Sequence, residues 1–353
     1  MINNNISGYR ILPVDKAVGM ALAHDITEVR KDEFKGRAFK KGHIIQDADV
    51  EHLKQLGKEH IFVLDIQEDE MHENDAAYAM ALALAGNGVG LEGEPKEGKI
   101  NLIAKKDGLL KVNYEALKRF NEYGEVMCAT LHNNTLVKKD QVVAGTRAIP
   151  LVVKKNIIAK AVNVSNSVGK ILQVLTLQQL KVGLIITGNE VYHGRIKDEF
   201  APIMTQKVTA FGCEIIGTFY CPDNVEFISS KIQDLLVAGA QMLILTGGLS
   251  VDPDDVTRFA VRSLNVEDMC YGAPVLPGSM FLIAYLHTDD NSTIPILGVP
   301  ACGMYKRITI FDLVLPRVLA GERLGRNELA EMGHGGLCLS CPQCNYPVCP
   351  FGK

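Results

Sequence analysis

The sequence predicts an α/β protein whose C-terminal half is an open, largely parallel sheet with helices on both faces. From Lys181 onward, short apolar strands alternate with helical segments, which is the pattern of a parallel sheet. Two of the strands, Val182 to Ile186 and Met242 to Leu245, are apolar throughout, as expected where both faces are covered. The residues before position 177 instead predict β-rich α+β domains, because short strand patterns dominate there.

The composition is that of an ordinary globular protein. At 353 residues the chain is too long for one average core, and 22% charged with 47% hydrophobic residues is typical of globular domains. A net charge of −4 argues against nucleic acid as a partner. The first residues, Met1 to Asn5, lack the features of a signal peptide, and no apolar run is long enough to span a bilayer. We therefore expect a cytoplasmic protein with no membrane partner.

Changes in pattern along the chain divide it into four segments. These are a small β-rich domain, a mixed α+β accessory domain, the parallel-sheet domain and a cysteine-rich tail, at residues 1–66, 67–176, 177–322 and 323–353. In the first segment a helix is expected between Asp47 and Gly57. Strands are expected there at 11–14, 20–23 and 61–64.

The accessory segment is predicted to contain two helices among strands. An alanine-rich helix covers Ala76 to Ala85, capped by Asn74 or Asp75, and a second covers Tyr114 to Phe120. Two strands are expected to pair as a hairpin across Lys106-Asp107-Gly108, at 100–104 and 109–112. Further strands are expected at 126–131, 136–143, 146–153 and 156–161.

The parallel-sheet segment alternates strands and helices to its end. Strands are predicted at 214–219, 280–286 and 294–299, and helices at 201–211, 225–237 and 304–319. Another helix is expected to begin near Pro253, with Asp252 as its cap.

Both fully apolar strands stop at a threonine–glycine turn. The first is followed by Thr187-Gly188-Asn189-Glu190 and the second by Thr246-Gly247-Gly248-Leu249-Ser250. Parallel sheets bind ligands beyond the carboxyl ends of their strands, where glycine lets the backbone come close and free amides favour anions. These turns therefore predict an anion-friendly ligand edge.

Three aspartates follow the second turn. Asp252, Asp254 and Asp255 would repel a bare phosphate, so they favour a ligand with polar donor groups, or a divalent cation beside it. In the alternative interpretation Asp252 only caps the next helix and the other two are exposed charges.

The motifs of this edge resemble the molybdopterin-binding domain family, which includes MoeA, MogA and gephyrin. The motifs that carry the resemblance agree in order and spacing, and they are Ile186 to Glu190, Gly194 to Ile196, Thr246 to Val251 with Asp255, Leu276-Pro277-Gly278 and Leu297-Gly298-Val299-Pro300. The preceding residues resemble more loosely the small β-rich domains of the MoeA branch. The chain is thus similar to a divergent MoeA-type protein with a cysteine-rich tail.

The resemblance implies a three-layer α/β sandwich that binds the pterin phosphate at its glycine turns. The implied cofactor-binding residues are Thr187, Gly188, Asn189, Thr246, Gly247, Gly248, Ser250, Pro277, Gly278 and Pro300. The implied catalytic acids are Glu190, Asp223 and Asp255, which would help to insert molybdenum with Mg²⁺ or molybdate bound beside them. Relatives of this domain form trimers or dimers, and of the two we expect a homodimer. The resemblance also implies as partners a molybdoenzyme or another cofactor-assembly protein.

The sequence departs from the family pattern at several of these positions. Asn189 replaces the first acid of the Thr-Gly-Asp-Glu turn, and Leu276 and Ser279 stand where the family has lysines. Ala301-Cys302-Gly303 replaces Gly-Asn-Pro, and the Ser-Ala-Met-Asp-Gly-Tyr-Ala motif of the MoeA accessory domain is absent. Two positive charges expected near phosphate or molybdate are therefore missing from these positions.

The tail concentrates four of the nine cysteines of the chain. Cys338, Cys341, Cys344 and Cys349 form two overlapping Cys-x-x-Cys steps and one more distant thiol, a spacing that can converge on one metal. Four thiolates suit structural zinc or an iron–sulfur cluster. The third interpretation is thiols or disulfides without a stable metal.

Two functions remain open from the sequence. The first is binding of molybdopterin, or of its adenylylated or metal-loaded form, in molybdenum cofactor biosynthesis or delivery. Its enzymatic form would be a molybdopterin molybdenumtransferase-like insertion reaction. The alternative is a non-catalytic binding module that responds to the pterin and to metal.

Overall fold

A computed structural model of the chain describes residues 5–6, 9–30, 34–250, 252–253, 255–288 and 293–353. The chain forms two compact units, which we call unit 1 (Met1–Leu175) and unit 2 (Thr176–Lys353). Within the described ranges, no helix is both long and apolar enough to cross a membrane.

Unit 1 contains two large hydrophobic cores and a small third cluster of Ala77, Ala81 and Ile100. One large core is built around Val14, Leu22 and Val63, and the other around Met80 and Phe120. The elements around the first core are β1 (Asn5–Ile6), β2 (Tyr9–Pro13), β3 (Ile26–Arg30), β4 (Phe34–Phe39), α1 (Asp47–Gln55) and β5 (His60–Leu64). Strand β2 lies between β1 and β5, and β3 pairs with β4.

The second core of unit 1 is covered by three helices and several short antiparallel sheets. Its elements are β6 (Glu70–His72), α2 (Glu73–Leu84), β7 (Val89–Leu91), β8 (Lys99–Ala104), β9 (Gly108–Val112), α3 (Tyr114–Asn121), β10 (Val126–Thr130), β11 (Thr135–Val137), β12 (Val142–Ala148), β13 (Val152–Lys154), α4 (Lys155–Ser167) and β14 (Leu172–Leu175). The cap of α2 is His72 rather than Asn74 or Asp75, because Nδ1 of His72 accepts the Asn74 N–H at 3.0 Å.

The predicted hairpin of β8 and β9 is wrong. Strand β8 lies between β12 and β7, whereas β9 lies between β11 and β14 in a different sheet. Both strands are largely buried on both faces. Each therefore takes the centre of its own sheet instead of pairing with the other.

The predicted strand at 156–161 is also wrong, because these residues form the first half of α4. Ile158, Ala161 and Ser165 fall on one face of a helix and are the residues that α4 buries. The β-branched residues of this stretch resemble a strand locally, but the burial period is helical.

Unit 2 is one mixed sheet between two layers of helices. Its described strands are β15 (Lys181–Thr187), β16 (Glu214–Cys221), β17 (Met242–Thr246), β18 (Glu267–Tyr271), β19 (Leu282–His287) and β20 (Thr293–Val299). Its described helices are α5 (Asn189–Tyr192), α6 (Phe200–Thr209), α7 (Val225–Val237), α8 (Thr257–Arg262), α9 (Cys302–Tyr305), α10 (Ile310–Leu319) and α11 (Arg326–Glu331). The sheet order is β16-β15-β17-β20-β19-β18, parallel from β16 to β20 and antiparallel at β19 and β18.

The two helical layers explain the uninterrupted apolar strands. Leu184 and Ile186 point into the core that α6 and α10 cover, whereas Ile185 and Leu245 point into the core that α7 and α8 cover. Successive residues of a strand face opposite sides, so a sheet covered on both faces needs apolar residues at every position. The predicted α/β class with a mostly parallel sheet is confirmed.

Two helix boundaries in unit 2 differ from the prediction. Helix α8 begins at Thr257 instead of near Pro253, and Asp252 does not cap it. The Asp252 N–H donates to Oδ2 of Asp255, and the Asp255 N–H donates to the Asp252 carbonyl, both at 3.0 Å, which makes a turn ahead of the helix. The predicted last helix is divided into α9 and α10, because Thr309 starts a new helix with its own capping box.

Candidate ligand-binding edge

The two threonine–glycine turns touch each other at the carboxyl edge of the sheet. Strands β15 and β17 are neighbours, with Ile186 opposite Thr246. The Thr187 hydroxyl donates to the Thr246 carbonyl at 3.2 Å and lies 2.9 Å from Oγ1 of Thr257, which then donates to it. All three threonines are buried. The turns are therefore locked together by buried hydroxyl groups.

The glycines of the second turn are required by this packing. Gly247 and Gly248 have φ angles of +85° and +55°, which side chains rarely adopt. A Cβ atom at Gly247 would overlap with the carbonyl oxygen of Thr187, and one at Gly248 with Oγ1 of Thr257. The backbone of the second turn thus lies directly against the first turn.

The first turn gathers two of the predicted acids. Gly188 has a φ of +138°, and the Glu190 carboxylate folds over it, since a Cβ at Gly188 would lie 2.7 Å from Oε1 of Glu190. The Asn189 N–H donates to Oδ2 of Asp223 at 3.0 Å, and the Asp223 N–H donates to Oδ1 of Asn189 at 3.3 Å. These reciprocal bonds fix Asp223, which follows the neighbouring strand β16, against Asn189 of the first turn.

The third predicted acid, Asp255, lies after the second turn and is partly buried. Ser250 is exposed, and its carbonyl accepts from the Tyr271 hydroxyl at 3.3 Å. Val251 and Asp254 lie outside the described residues. Among the residues that are described, no three or more histidine, cysteine, aspartate or glutamate side chains are gathered closely enough to hold a metal ion. Glu190, Asp223 and Asp255 therefore make a set of separate carboxylates rather than a preformed cation site.

The remaining predicted binding residues lie at the same edge. Strand β19 runs antiparallel to β20, so the turn that precedes it meets the carboxyl end of β20. In that turn the Pro277 carbonyl accepts the Ile310 N–H at 3.2 Å, and a Cβ at Gly278 would overlap with the Ile310 side chain. Pro300 follows β20, and its carbonyl accepts the Gly303 N–H at 2.9 Å. Their contact with a ligand stays a prediction.

A positive charge next to the second turn was missed by the sequence reasoning. The guanidinium carbon of Arg258 lies 5.5 Å from the ring centre of Tyr271, and the Tyr271 hydroxyl donates to the carbonyl of Leu249 in the turn. Nε of Arg258 is buried and has no hydrogen-bond partner among the described residues. A basic residue three positions after Asp255 was the available signal, but its sequence position does not show that it packs on Tyr271.

A second buried polar group at this edge also lacks a partner. The Thr246 side chain is fully buried at the end of β17, and within the described part of the chain its Oγ1 makes no hydrogen bond. A buried hydroxyl without a partner costs about 1–3 kcal/mol. Partly exposed glycine turns, a guanidinium and carboxylates at the rim together suit a ligand that has both an anionic group and hydrogen-bond donors.

A cavity of about 870 Å³ lies elsewhere in unit 2. Its lining includes Gln178, Gln241, Tyr285 and Arg323. Gln178 and Gln241 precede β15 and β17, so the cavity opens at the amino edge of the sheet. Neither threonine–glycine turn contributes to it.

The four tail cysteines all have free thiols in the structure. Cys341 is exposed and the other three are partly exposed. All four belong to the described residues, among which no metal-holding group of three side chains is assembled. The metal site stays a prediction.

Comparison with known families identifies two segments of the chain. Residues 183–320 match the family described as "Probable molybdopterin binding domain", and residues 11–65 match a family described only as a domain of unknown function. The first match contains both threonine–glycine turns and the three acids.

Individual relatives are similar over limited stretches. The chain is 26% identical over 130 residues to a molybdopterin molybdenumtransferase of Synechococcus elongatus, covering 35% of this chain and 32% of the relative. It is 30% identical over 89 residues to a CinA-like protein of Mycobacterium sp. strain JLS, covering 24% of this chain and 21% of the relative. The chain thus spans about a third or less of the length of these curated relatives.

Solved structures align weakly. The tungsten cofactor synthesizing protein MoaB from Pyrococcus furiosus aligns with 41% of this chain and 98% of its own, at 13% identity and a TM-score of 0.34. A similarity at this level supports no argument about function. The family match does: the segment 183–320, with both turns of the candidate edge, belongs to the molybdopterin-binding domain family, which is linked to molybdenum cofactor biosynthesis.

Proposed function

We propose that unit 2 binds molybdopterin, or its adenylylated or metal-loaded form, at the edge made by the two threonine–glycine turns. The protein then serves molybdenum cofactor assembly or delivery. The observation that carries this proposal is the contact between the two turns through Thr187, Thr246 and Thr257, inside the segment that belongs to the family.

The second turn is assigned to the phosphate of the pterin. Gly247 and Gly248 leave the backbone accessible to an anion, and Arg258 supplies a positive charge beside Leu249. The hydroxyl of Thr246, which is buried and has no partner among the described residues, offers one more hydrogen bond to a ligand that uncovers it. Arg258 thereby takes over part of the charge that the family places on lysines and that this chain lacks at Leu276 and Ser279.

The carboxylates are assigned to the donor groups of the ligand. Glu190 and Asp223 on the first turn and Asp255 after the second can each accept hydrogen bonds from the amino and ring N–H groups of a pterin. Because carboxylates repel an anion and accept hydrogen bonds from N–H groups, three of them favour a ligand with several donors over free phosphate.

A titration of the purified full-length chain with molybdopterin under anaerobic conditions tests the proposal. We expect Arg258→Gln and Asp255→Ala each to weaken binding by about tenfold, the equivalent of one lost polar contact of about 1.4 kcal/mol. Arg262→Gln is the matched control, because Arg262 lies exposed on the same helix and should bind as the unmodified protein does. Absence of binding by the unmodified protein would refute the proposal.

Insertion of molybdate is a second candidate function. The observation in its favour is that the bonds between Asn189 and Asp223 hold Asp223 at the first turn, which also carries Glu190. Such carboxylates can move protons to and from the oxygen atoms of a bound molybdate, which here is substrate. Protein, pterin, Mg²⁺ and molybdate together should then yield metal-loaded cofactor, and Glu190→Gln should slow its formation by a larger factor than it weakens pterin binding. Pterin binding without product in the unmodified protein would exclude insertion and leave delivery.

A further inference from the structure

The cysteine-rich segment is a closed loop. The Gly352 N–H donates to the Gly335 carbonyl at 3.0 Å, so the two ends of residues 335–352 are held together. Gly335 has a φ of +80°, and a Cβ there would overlap with the carbonyl oxygen of Lys353. All four cysteines of the tail lie within this loop, which we call the cysteine loop.

The cysteine loop is anchored on unit 2 close to both of its ends. The Leu276 N–H donates to the Gly336 carbonyl, and the Cys338 N–H donates to the Leu276 carbonyl, both at 2.8 Å. Phe351 is only 3% exposed and belongs to the core that α6 and α10 cover. Cys338 and Cys349 pack against the same core. Two of the thiols are therefore positioned by the body of the domain, one near each end of the loop.

The first Cys-x-x-Cys step already has the form of a ligand turn. Ser340 has a φ of +51°, and its N–H points at Sγ of Cys338 at a distance of 3.5 Å. An amide that donates to sulfur stabilises the negative charge of a thiolate and orients it, as partners of metal ligands do.

We propose that the cysteine loop binds one zinc ion through Cys338, Cys341, Cys344 and Cys349. Four thiolates complete the tetrahedral shell of zinc and leave no open position, which makes the site structural. Cys338 and Cys349 stay in place near the anchored ends, and Cys341 and Cys344, in the outer part of the loop, close on the ion. Each thiol gives up its proton to solvent as its bond to zinc forms.

The proposed zinc site is joined to the candidate ligand edge. Cys338 is hydrogen-bonded to Leu276, the residue before Pro277 and Gly278 in the turn that meets β20. Zinc would thus fix the position of that turn. The inference does not depend on which ligand the edge binds, because it rests only on the loop and its anchors.

Zinc content of the full-length chain tests the inference. Protein prepared anaerobically, stripped of metal and then dialysed against Zn²⁺ should retain one zinc ion per chain. Replacing the zinc with Co²⁺ should give the intense thiolate-to-metal absorption of a tetrahedral sulfur site. The double variant Cys341→Ser/Cys344→Ser should lose zinc affinity by at least about 100-fold, more than loss of an outer-shell partner costs.

The controls distinguish the site from other thiols and from misfolding. Cys302→Ser changes a partly exposed cysteine outside the loop and should retain zinc fully. The double variant keeps the anchors at Cys338 and Phe351, so its far-UV circular dichroism should equal that of the metal-free unmodified protein. Retention of zinc by the double variant, absence of zinc from the unmodified protein, or binding of iron with sulfide in place of zinc would each overturn the proposal.

Discussion

Two neighbouring buried threonines at the candidate edge should respond in opposite ways to the same change of side chain. Thr187→Val removes the bond to the Thr246 carbonyl and the contact with Oγ1 of Thr257, and it leaves both partners buried. We expect the free energy of unfolding to fall by about 1–3 kcal/mol. Thr246→Val keeps the shape of the side chain but removes a buried hydroxyl that has no partner among the described residues. Here we expect the free energy of unfolding to rise by about 1 kcal/mol.

Urea unfolding followed by circular dichroism measures both changes in the full-length protein. In thermal unfolding, a change of about 1 kcal/mol in a unit of this size shifts the midpoint temperature by about 2–4 °C. The midpoints of the two variants should therefore lie on opposite sides of the midpoint of the unmodified protein. If Thr246→Val destabilises as much as Thr187→Val, the Thr246 hydroxyl is satisfied in the folded protein and the reasoning fails.

The same two variants show whether the Thr246 hydroxyl also contacts the ligand. If the hydroxyl of Thr246 serves the ligand, Thr246→Val should bind molybdopterin about tenfold more weakly although the free protein is more stable, since one hydrogen bond of about 1.4 kcal/mol is lost. An unchanged dissociation constant would show that this hydroxyl does not contact the ligand.

Three further changes test other parts of the molecule. Burial lowers the pKa of His72 to about 4. The neutral side chain therefore contributes fully to the free energy of unfolding above pH 6.5, and this contribution is lost as the pH falls toward 4. Urea unfolding at a series of pH values should show the free energy of unfolding fall by at most about 3 kcal/mol over this range, and His72→Gln should remove that fall. Gly247→Ala places a Cβ against Thr187 and should destabilise unit 2 by more than Gly239→Ala does. Gly239 has a similar positive φ but open space around it, so its change to alanine should cost only about 1 kcal/mol. Equal losses of unfolding free energy for the two variants in urea would contradict the packing at Gly247. Phe351→Ala removes a buried side chain and should lower the free energy of unfolding by about 3 kcal/mol. It should also speed amide hydrogen exchange in the cysteine loop. Unchanged exchange would show that this side chain does not hold the loop.

The strands that carry the candidate site could be predicted from sequence because burial on both faces leaves a continuous apolar run. Strands β15 and β17 show this run, and each stops at a threonine followed by glycine. The turns were therefore visible without the structure. Their mutual contact was not, because the bond between Thr187 and the Thr246 carbonyl depends on the order of strands in the sheet.

Residues that join the edge through tertiary packing left no local signal. Thr257 matters because it meets Thr187, and Arg258 matters because it packs on Tyr271. Neither partner can be recognised from the residues next to it in the chain. For the same reason Asp252 was assigned as a cap, whereas its N–H binds the carboxylate of Asp255 in a turn.

The errors in unit 1 arose where local patterns support two structures. Residues 156–161 contain apolar residues that suit a strand, and only the burial of Ile158, Ala161 and Ser165 shows the helical period. The turn Lys106-Asp107-Gly108 has hairpin residues, yet the strands on either side of it enter different sheets. Choice of pairing partner is decided by burial in the whole domain, which a short stretch does not encode.

The bonds that lock the two turns join residues far apart in the chain. Thr187 is 59 residues from Thr246 and 70 from Thr257. Parallel pairing over such separations forms late in folding, because the entropy of closing the intervening loops must be overcome first. Under the proposed function, a ligand that bridges the turns slows the unfolding of unit 2 and leaves its folding rate unchanged. Under the same proposal, the cofactor would be loaded only onto chains that have finished folding.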